Sequence, residues 1–450
     1  MERTLIRDTT AKINKEVLLK GWIKTRRDHG NLIFLDLYDR SGLIQMVVNP
    51  KVSGDSYKIA QEIKTEFVVE VIGKVNKRPK NAVNKNLLTG EVEIEVLKII
   101  ILSKAETLPF DMGGEDLNLE LPTLLDHRPL TLRHLKIKSI FEVQEFIADS
   151  FRKKAKDLGC TEIFVPTISA SATEGGADVF GIDYYSHRAY LTQSPQLYKQ
   201  MMVPVFERVF TIAKAYRAEP SVTTRHLSEV TQMDCEFGFI DFNMLLDLLE
   251  DVGRETIKGA VEKTSHVLKL LNIEKPKIKT KIPRLALREA QEIIYKKLGR
   301  DNRNEPDLSP QDEIDLGIWA EKEHGSDLVT ITHFPTKKRA FYTMPDPTKS
   351  EYSLSYDLLF KGSEIASGSQ RINDYSAVVK AIKDRGLNPK DFEMYLMAFK
   401  YGMPQEGGFS FGLERMTMKL LSLTNIREAS LYPRDMERVD ERFSSVSKKD

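Results

Sequence analysis

The chain has 450 residues and a formal net charge of only +1, although 30% of its residues are charged. This length suffices for two or three domains with separate cores, and the balanced charge excludes a uniformly basic nucleic-acid-binding surface. The two cysteines, Cys160 and Cys235, exclude a disulfide framework and favour a reducing compartment. No apolar run has the length of a signal peptide or a membrane span, so we expect a soluble, cytoplasmic protein.

Five strand-like runs follow one another between residues 15 and 103, separated by turn signals such as HGN and DRSG. One helix-like segment, SYKIAQEIKTE, lies between the third and fourth runs. This arrangement is typical of an OB-fold β-barrel, which commonly binds single-stranded nucleic acid. We therefore assign residues 1–105 to such a barrel, with another kind of small barrel as the alternative.

Residues 106–133 combine prolines, glycines and acidic residues without periodicity, which predicts a hinge or linker. An amphipathic helix follows, with an apolar stripe from Ile137 to Leu158 and a stop at Gly159. Beyond it, strands and helices alternate without a regular βαβ rhythm. This pattern predicts an α+β domain over residues 134–450, built on a large antiparallel sheet.

Within that domain we predict helices at residues 243–271, 287–298 and 374–386, and one that begins with Pro310 after a Ser309 cap. Residues 339–345 are among the predicted strands. No glycine-rich phosphate loop occurs, so any phosphate binding must depend on side chains.

The stretch from residue 215 to residue 239 predicts a hairpin. Its first strand ends in Arg217 and Glu219, and its polar loop carries Arg225 and His226. A guanidinium keeps its charge and matches phosphate oxygens, so this hairpin favours a nucleoside triphosphate. Cross-strand ion pairing of Arg217 is the structural alternative.

Near the C-terminus, a strand passes through Gly412 into a helix that carries Arg415. Glycine there lets a planar group approach the backbone, and the arginine is placed to meet phosphate. Asp357 and Glu364 lie on consecutive extended segments joined by a turn at residues 361–362. Paired carboxylates beside phosphate-binding arginines suit Mg²⁺, whereas solvated strand acids are the alternative.

In the segment QSPQLYKQMM, Pro195 can begin a helix that places Gln196 and Lys199 on one face. Lys199 then offers an ammonium group to a substrate carboxylate, with a solvent-facing lysine as the alternative.

Three segments resemble motifs 1, 2 and 3 of the class II aminoacyl-tRNA synthetases: Glu162–Pro166, the hairpin with Arg217 and Glu219, and Gly412–Arg415. The sequences QSPQLYKQ, TEGGADVF and YDLLFKGSEIASGSQR narrow the resemblance to the aspartyl-tRNA synthetases. It covers essentially the whole chain. The chain lacks the large insertion of typical bacterial members between motifs 2 and 3, and in this it is similar to archaeal and eukaryotic catalytic domains.

The resemblance implies that L-aspartate is activated with ATP and Mg²⁺ and transferred to tRNA(Asp), with tRNA(Asn) as a possible second acceptor. It implies a homodimer with Pro166 in the interface. The implied ATP-binding residues are Arg217, Glu219, Arg225, His226, Glu364, Gly412 and Arg415, of which Arg217, Glu364 and Arg415 are catalytic. The implied Mg²⁺ ligands are Asp357 and Glu364. The implied aspartate-binding residues are Glu174, Gln196, Lys199, Asp234, Ser367 and Arg371. Ser410 departs from the smaller residue that is usual in motif 3.

The resemblance also implies contacts between the barrel and the anticodon, at His29, Phe34, Gln45, Glu91 and Glu93. For Phe34, simple packing in the barrel core is the alternative. His29 is a residue that bacterial relatives charging both tRNAs tend to carry, so we expect a non-discriminating enzyme, with a plain surface histidine as the alternative.

Three other functions compete with this interpretation. Asparaginyl-tRNA synthetase shares the motifs, but an ammonium group cannot accept hydrogen bonds from an asparagine amide, so Lys199 favours aspartate. An asparagine synthetase has a similar catalytic core but does not need the barrel. A binding-only paralogue does not need the intact set of Arg217, Arg415, Glu364 and Lys199.

Overall fold

The computed structural model describes residues 1–85, 87–170, 179–220, 223–440 and 442. The chain divides into two compact units, Met1–Leu119 and Glu120–Asp450. This boundary lies inside the segment 106–133 that the sequence assigned to a hinge. The second half of that segment belongs to the second unit because Arg128, only 3% exposed, donates hydrogen bonds to the carbonyl oxygens of Glu428, Ser430 and Leu431.

The first unit is a closed five-stranded barrel with the strand order β1-β2-β3-β5-β4. Side chains alternate between the two faces, so that Ile33, Leu35 and Leu37 of one strand fill the core. The predicted OB-type arrangement is confirmed, with its single helix between the third and fourth strands. The elements are β1 Glu16–His29, β2 Leu32–Asp39, β3 Gly42–Val48, α1 Gly54–Glu62, β4 Val68–Lys77 and β5 Val92–Ser103.

The second unit is α+β, as predicted, and contains an eight-stranded sheet and a separate three-stranded sheet. Its strands are β6 Thr161–Glu162, β7 Ile168–Ser169, β8 Gly181–Tyr184, β9 His187–Leu191, β10 Arg208–Tyr216, β11 Glu229–Gly238, β12 Arg284–Ala286, β13 Leu328–Thr332, β14 Ser355–Phe360, β15 Glu364–Gln370 and β16 Glu406–Gly412. The large sheet has the order β12-β13-β14-β15-β16-β11-β10-β6, and the small sheet has the order β7-β9-β8.

Twelve α-helices accompany these sheets in the described part of the second unit. They are α2 Leu121–Asp126, α3 Arg128–Thr131, α4 Leu135–Asp157, α5 Gln196–Met201, α6 Val203–Phe206, α7 Phe242–Lys263, α8 Ser265–Leu270, α9 Leu287–Leu298, α10 Pro310–His324, α11 Tyr375–Asp384, α12 Glu393–Lys400 and α13 Leu413–Leu420. In the described ranges, no helix is both long and apolar enough to cross a membrane.

The main core of the second unit lies between the long helices α4 and α7 and the central strands of the large sheet. Val143 and Phe151 of α4 pack with Leu249 of α7 and with Phe409 and Phe411 of β16. Packing against α4 and α7 therefore fixes the position of the central strands β14, β15, β16 and β11. Many of the candidate site residues lie on these strands or at their ends.

Several predicted helices agree with the structure, and two predictions do not. The Ser309 side chain caps α10 by accepting a hydrogen bond from the backbone of Asp312. The helix predicted at residues 243–271 is interrupted at Thr264, whose hydroxyl donates to the Ala260 carbonyl. Residues 339–345 do not form a strand; only Thr343 and Pro345 take part in isolated bridges.

Candidate active site

The predicted hairpin is formed by β10 and β11, which pair antiparallel from Arg208 with Phe237 to Tyr216 with Glu229. Its loop begins at Arg217, whose backbone N–H donates to the Ser228 carbonyl at 2.9 Å. The ion pair of the Arg217 side chain is a long one, 4.0 Å from Nη1 to Oε1 of Glu219, and the arginine remains 43% exposed. Among the described residues, Arg217 therefore has no close cross-strand ion pair of the kind that was the alternative.

The loop gathers its basic groups around His226. The imidazole Nε2 lies 3.8 Å from Oε2 of Glu219. Partial burial lowers the pKa of His226, and Glu219 opposes this shift. Three guanidinium groups close to the ring lower the pKa further: Arg415, Arg217 and Arg225. The hairpin and the motif around Arg415, far apart in sequence, thus form one positively charged site.

Arg415 and Arg225 meet the carboxylates of two other elements. Arg415 Nη1 donates to the Glu364 backbone carbonyl at 3.0 Å and lies 3.6 Å from its Oε1. Glu313, on α10, accepts from Arg225 Nη1 at 2.9 Å and from the Glu364 backbone N–H at 3.3 Å. Burial raises the pKa of Glu313 to about 7, with Glu364 adding to the shift and Arg225 opposing it.

The position of Glu313 depends on a close contact between α10 and the turn that precedes β15. A Cβ atom on Gly317 of α10 would lie 2.6 Å from the backbone nitrogen of Gly362. A Cβ atom on Gly362, whose φ is +69°, would lie 2.8 Å from the Cα atom of Ile314. Glycine at both positions therefore brings Glu313 to the Glu364 backbone.

The two carboxylates predicted to bind Mg²⁺ lie on neighbouring strands, with Asp357 opposite Ser367 and Glu364 opposite Leu359. Burial raises the pKa of Glu364, Arg415 opposes this shift, and Asp357 adds to it. Asp357 Oδ1 is buried and has no hydrogen-bond partner within the described residues. An orphaned buried carboxylate oxygen beside a second carboxylate fits a divalent cation that completes its coordination with phosphate oxygens.

Arg339 occupies the other side of Asp357. Its Nη2 donates to Asp357 Oδ2 at 2.8 Å, its Nη1 donates to the Ser367 hydroxyl at 3.3 Å, and its guanidinium stacks 3.9 Å from the ring centroid of Phe334. The sequence did not single out Arg339, because it placed this residue in a predicted strand.

Gly412 joins β16 to α13. A Cβ atom at this position would meet only the Cβ of Arg415, at 3.6 Å, among the described residues. The backbone at Gly412 is thus open on the side from which the sequence predicted that a planar group approaches.

Lys199 is 1% exposed, which excludes the solvent-facing alternative. Its Nζ lies 2.8 Å from Asp234 Oδ1 and 3.0 Å from Glu236 Oε2, both on β11. Burial alone lowers the pKa of Lys199, but Asp234 and Glu236 outweigh this and raise it. The lysine is therefore a charged ammonium in the interior of the second unit.

Arg371 joins the same cluster from the end of β15. Its Nε donates to Glu236 Oε1 at 2.7 Å, and its Nη2 donates to Gln196 Oε1 at 3.3 Å. Burial opposes ionisation of Glu236, but Arg371 and Lys199 lower its pKa. One carboxylate thus bridges two buried cations, an arrangement that can hold a second, substrate carboxylate.

Ser410, the departure from motif 3, has a partner in this cluster. It pairs across the sheet with Asp234, and its hydroxyl donates to Asp234 Oδ2 at 3.1 Å. The larger side chain is thus accommodated because it satisfies the second oxygen of a buried carboxylate.

The sequence did not lead us to predict Glu236 as a site residue. It nevertheless lies two residues after Asp234 on the same strand and therefore on the same face of the sheet. Glu313 was missed because α10 showed only a helix pattern. Glu174 lies outside the described residues. Ser367 pairs directly with Asp357 across the sheet, and its hydroxyl accepts from Arg339. Among the described residues it forms no hydrogen bond with the Lys199 cluster.

On the barrel, the predicted anticodon residues share the outer surface of adjacent strands. The Phe34 side chain points away from the core between buried Ile33 and Leu35, so the core-packing alternative is wrong. Its ring meets the His29 ring edge-on at 6.1 Å between centroids. Gln45 Nε2 donates to Glu93 Oε2 at 3.1 Å.

Arg27 and Glu91 also lie on this surface. Arg27, not predicted, donates through Nη2 to Gln45 Oε1 at 3.3 Å and to the Asp36 carboxylate at 3.1 Å. Glu91 is exposed just before β5, where its carbonyl accepts from the Arg78 backbone at 2.9 Å. The surface thus offers an aromatic ring beside a polar pair, which suits a base that stacks and hydrogen-bonds.

Comparison with known proteins assigns each unit to a protein family. Residues 120–436 match the family described as tRNA synthetases class II (D, K and N), and residues 17–102 match the OB-fold nucleic acid binding domain. The chain belongs to the class II tRNA synthetases. This synthetase is therefore a ligase whose barrel domain precedes its catalytic domain in the sequence.

Relatives match this synthetase over its whole length. The aspartate–tRNA(Asp/Asn) ligase of Thermus thermophilus is 39% identical over 439 residues, which are 97% of this chain and 99% of the relative. The aspartate–tRNA(Asp) ligase of Pyrococcus horikoshii is 37% identical over 437 residues, 96% and 98% of the two chains. The resemblance to the aspartyl-tRNA synthetases is thus confirmed.

Among solved structures, an asparaginyl-tRNA synthetase from Pyrococcus horikoshii complexed with asparaginyl-adenylate superposes with a TM-score of 0.90. It is 29% identical and covers 98% of this chain and 99% of its own. The backbone alone therefore does not separate aspartate from asparagine, and the side chains of the site have to decide.

Proposed function

We propose that this synthetase is an aspartate–tRNA ligase that forms aspartyl-adenylate from L-aspartate and ATP and then transfers the aspartyl group to tRNA(Asp). The observation that carries the choice of amino acid is the pair of buried cations, Lys199 and Arg371, on either side of Glu236. Neither cation can accept a hydrogen bond, so neither can satisfy the amide NH₂ of asparagine.

In this proposal the aspartate side-chain carboxylate contacts Lys199 and Arg371 from the side that Glu236 does not occupy. Gln196 and Asp234 lie in the same cluster next to this carboxylate, with Ser367 and Glu174 as further predicted contacts. A charge-assisted hydrogen bond contributes about 1.5–3 kcal/mol, and an amide NH₂ group placed against a cation forms none. The binding free energy of aspartate is therefore more favourable than that of asparagine.

ATP lies along the arginines of the hairpin and motif 3. Arg217 contacts the α-phosphate, while Arg225, His226 and Arg415 hold the β- and γ-phosphates. The open backbone at Gly412 faces the adenine or ribose, and Glu219 completes the nucleotide contacts. Asp357 and Glu364 would hold Mg²⁺, which supplies charge neutralisation to the triphosphate when it is bound.

An in-line displacement at phosphorus and then an acyl transfer at carbon follow from this placement. The α-carboxylate of aspartate attacks the α-phosphorus, and Arg217 and Arg415 stabilise the charge that develops as pyrophosphate leaves. The terminal ribose hydroxyl of tRNA then attacks the carbonyl carbon of the adenylate and releases AMP. No covalent enzyme intermediate is needed, so positioning supplies most of the catalysis.

We infer that the barrel binds the anticodon through His29, Phe34, Gln45, Glu91 and Glu93. Aspartate–tRNA ligases named for tRNA(Asp) alone and for both tRNAs are among the relatives. His29 supports the non-discriminating alternative, in which tRNA(Asn) is also aspartylated. We further propose a homodimer with Pro166 in its interface, and a cytoplasmic location, where the tRNA substrates are.

Aspartate-dependent ATP–pyrophosphate exchange tests the amino acid, and charging of purified tRNA(Asp) and tRNA(Asn) transcripts tests the acceptor. We expect exchange with aspartate and not with asparagine, and aspartylation of both transcripts. Exchange that depends on asparagine would identify an asparaginyl-tRNA synthetase instead. Exchange without charging of either transcript would support an asparagine-synthetase-like function, and no exchange with either amino acid would support a binding-only function. Charging of tRNA(Asp) alone would contradict the role of His29.

A further inference from the structure

Two buried polar side chains next to the Lys199 cluster have no part in the proposed reaction. Gln200 of α5 and Glu406 at the start of β16 are both 0% exposed. Gln200 Nε2 donates to Glu406 Oε1 at 2.7 Å, and the Tyr395 hydroxyl donates to Gln200 Oε1 at 3.2 Å. Since burying polar groups is costly unless they are paired, this network requires an explanation.

The network continues into the aspartate site. Gln200 Oε1 also accepts from Gln196 Nε2 at 3.0 Å, and Gln196 Oε1 accepts from Arg371 Nη2 at 3.3 Å. The four side chains Arg371, Gln196, Gln200 and Glu406 thus form one continuous hydrogen-bonded chain.

The direction of this chain is fixed at one end. A guanidinium has only donors, so Gln196 must present its oxygen to Arg371 and its NH₂ group to Gln200. Gln200 must then present its own NH₂ group to Glu406, which has to accept. The orientation of both side-chain amides follows from this order.

Glu406, at the far end of the hydrogen-bonded chain, is in an environment that favours its neutral form. Burial and the nearby charge of Glu236 raise the pKa of Glu406 well above its usual range. Its second oxygen, Oε2, is buried and has no hydrogen-bond partner among the described residues, so no donor stabilises a charge there. The other oxygen then acts as a carbonyl acceptor for Gln200.

One consequence concerns the substrate. Gln196 Nε2 has two hydrogens, and among the described residues only the bond to Gln200 uses one of them. The second hydrogen is a donor that suits a carboxylate. If the amide were rotated by half a turn, Gln196 would offer an acceptor in its place, and this would favour an amide substrate.

We propose that Gln200 and Glu406 are positioning residues that fix the Gln196 amide and thereby favour aspartate over asparagine. This inference rests on the proposed function, because it concerns the same amino-acid site. Gln200 and Glu406 act through Gln196 and do not contact the substrate themselves.

The test measures aspartate- and asparagine-dependent pyrophosphate exchange in the full-length enzyme with Gln200→Leu. We expect KM for aspartate to rise about tenfold, a smaller change in kcat, an unchanged KM for ATP, and a lower ratio of aspartate to asparagine activation. Gln291→Leu is the matched control, because Gln291 is also 0% exposed but lies on α9, outside the cluster. An unchanged KM for aspartate and an unchanged ratio in Gln200→Leu would overturn the proposal.

Glu406 is tested by two substitutions. Glu406→Leu removes the acceptor and should raise KM for aspartate as Gln200→Leu does. Glu406→Gln keeps a neutral carbonyl acceptor and should restore KM to within about twofold of the wild type. Equal effects of the two substitutions would contradict a neutral, accepting Glu406.

If Gln200→Leu fails to fold, Tyr395→Phe tests the positioning role of Gln200 instead, because this substitution removes only one hydrogen-bond donor to Gln200. A rise in KM for aspartate without a change in KM for ATP supports the proposal, and no change in either constant overturns it. Failure of the proposed function is separate, since a wild-type enzyme that does not exchange pyrophosphate with aspartate would exclude it before any variant is made.

Discussion

The carboxylate of Glu313 lies 2.9 Å from Nη1 of Arg225, and the arginine side chain is 22% exposed. Arg225 is proposed to hold the end of the ATP triphosphate, so Glu313 fixes the guanidinium before the nucleotide arrives. An arginine held in place by a carboxylate loses less side-chain entropy on binding phosphate.

Replacing Glu313 should therefore weaken ATP binding. We expect Glu313→Ala to raise KM for ATP about tenfold, because a hydrogen bond to a charged group contributes about 1.5–3 kcal/mol and a factor of ten corresponds to about 1.4 kcal/mol. Glu313→Gln keeps an acceptor and should recover part of the loss. Exchange kinetics at saturating aspartate give both constants, and a lower KM for ATP in Glu313→Ala would mean that the carboxylate competes with the triphosphate.

The raised pKa of Glu313 also makes the stability of the enzyme depend on pH. The folded value of about 7 lies above the ordinary value of 4.5, so the folded state binds the proton more tightly than the unfolded state does. This contribution to stability is complete below about pH 4.5 and is lost as the pH rises through about 7.

Denaturant unfolding of the wild type and of Glu313→Gln checks this sign. Between pH 5 and pH 8, we expect the wild type to lose about 2.5 kcal/mol of unfolding free energy relative to the variant, because each pKa unit corresponds to about 1.4 kcal/mol and part of the shift lies below pH 5. Parallel stability curves of the two proteins over this range would contradict the prediction.

Lys199→Leu should abolish activation of aspartate while ATP binding remains. The substitution removes the ammonium between Asp234 and Glu236 and leaves two buried carboxylates with less compensation. Pyrophosphate exchange measures activation, and fluorescence titration with ATP measures nucleotide binding. Because the variant also loses stability, its thermal unfolding is measured alongside. Undiminished aspartate-dependent exchange in a folded variant would contradict the assignment of the amino acid.

Phe34→Ala should weaken tRNA binding without affecting adenylate formation. Stacking of a base on an aromatic side chain contributes about 1–3 kcal/mol, so KM for tRNA should rise between about fivefold and a hundredfold. Leu43→Ala, on the outer face of the adjacent strand β3, is the matched control. An unchanged KM for tRNA in Phe34→Ala would exclude this residue from the anticodon contact.

The amino-acid sequence predicted the two folds, and it picked out most of the proposed site residues, because the signals for both are local. Alternating strands around a single helix indicate the barrel, and the hairpin with Arg217 carries its charges within a few residues. The motif order then linked Arg415, Asp357 and Lys199 to the same site.

What the sequence did not predict depends on contacts between distant elements. Glu313 lies on a helix whose exposed face gives no sign that Gly317 packs against Gly362. Arg339 lies in an irregular segment, and its contact with Asp357 depends on the position of Asp357 in the folded sheet. In the sequence, Glu406 looks like any acidic residue at the start of a strand. Only the fold places it at the end of the hydrogen-bonded chain that runs through Gln200.

The three carbonyl oxygens held by Arg128 have a practical consequence for dissecting this enzyme. They belong to residues 428, 430 and 431, so the first helices of the second unit are tied to the segment that follows motif 3. A fragment that starts at residue 134, as the predicted hinge suggested, lacks Arg128. It therefore loses these hydrogen bonds and exposes the three carbonyl groups. One that starts at residue 120 retains it, and is therefore the better starting point for expressing the catalytic unit alone.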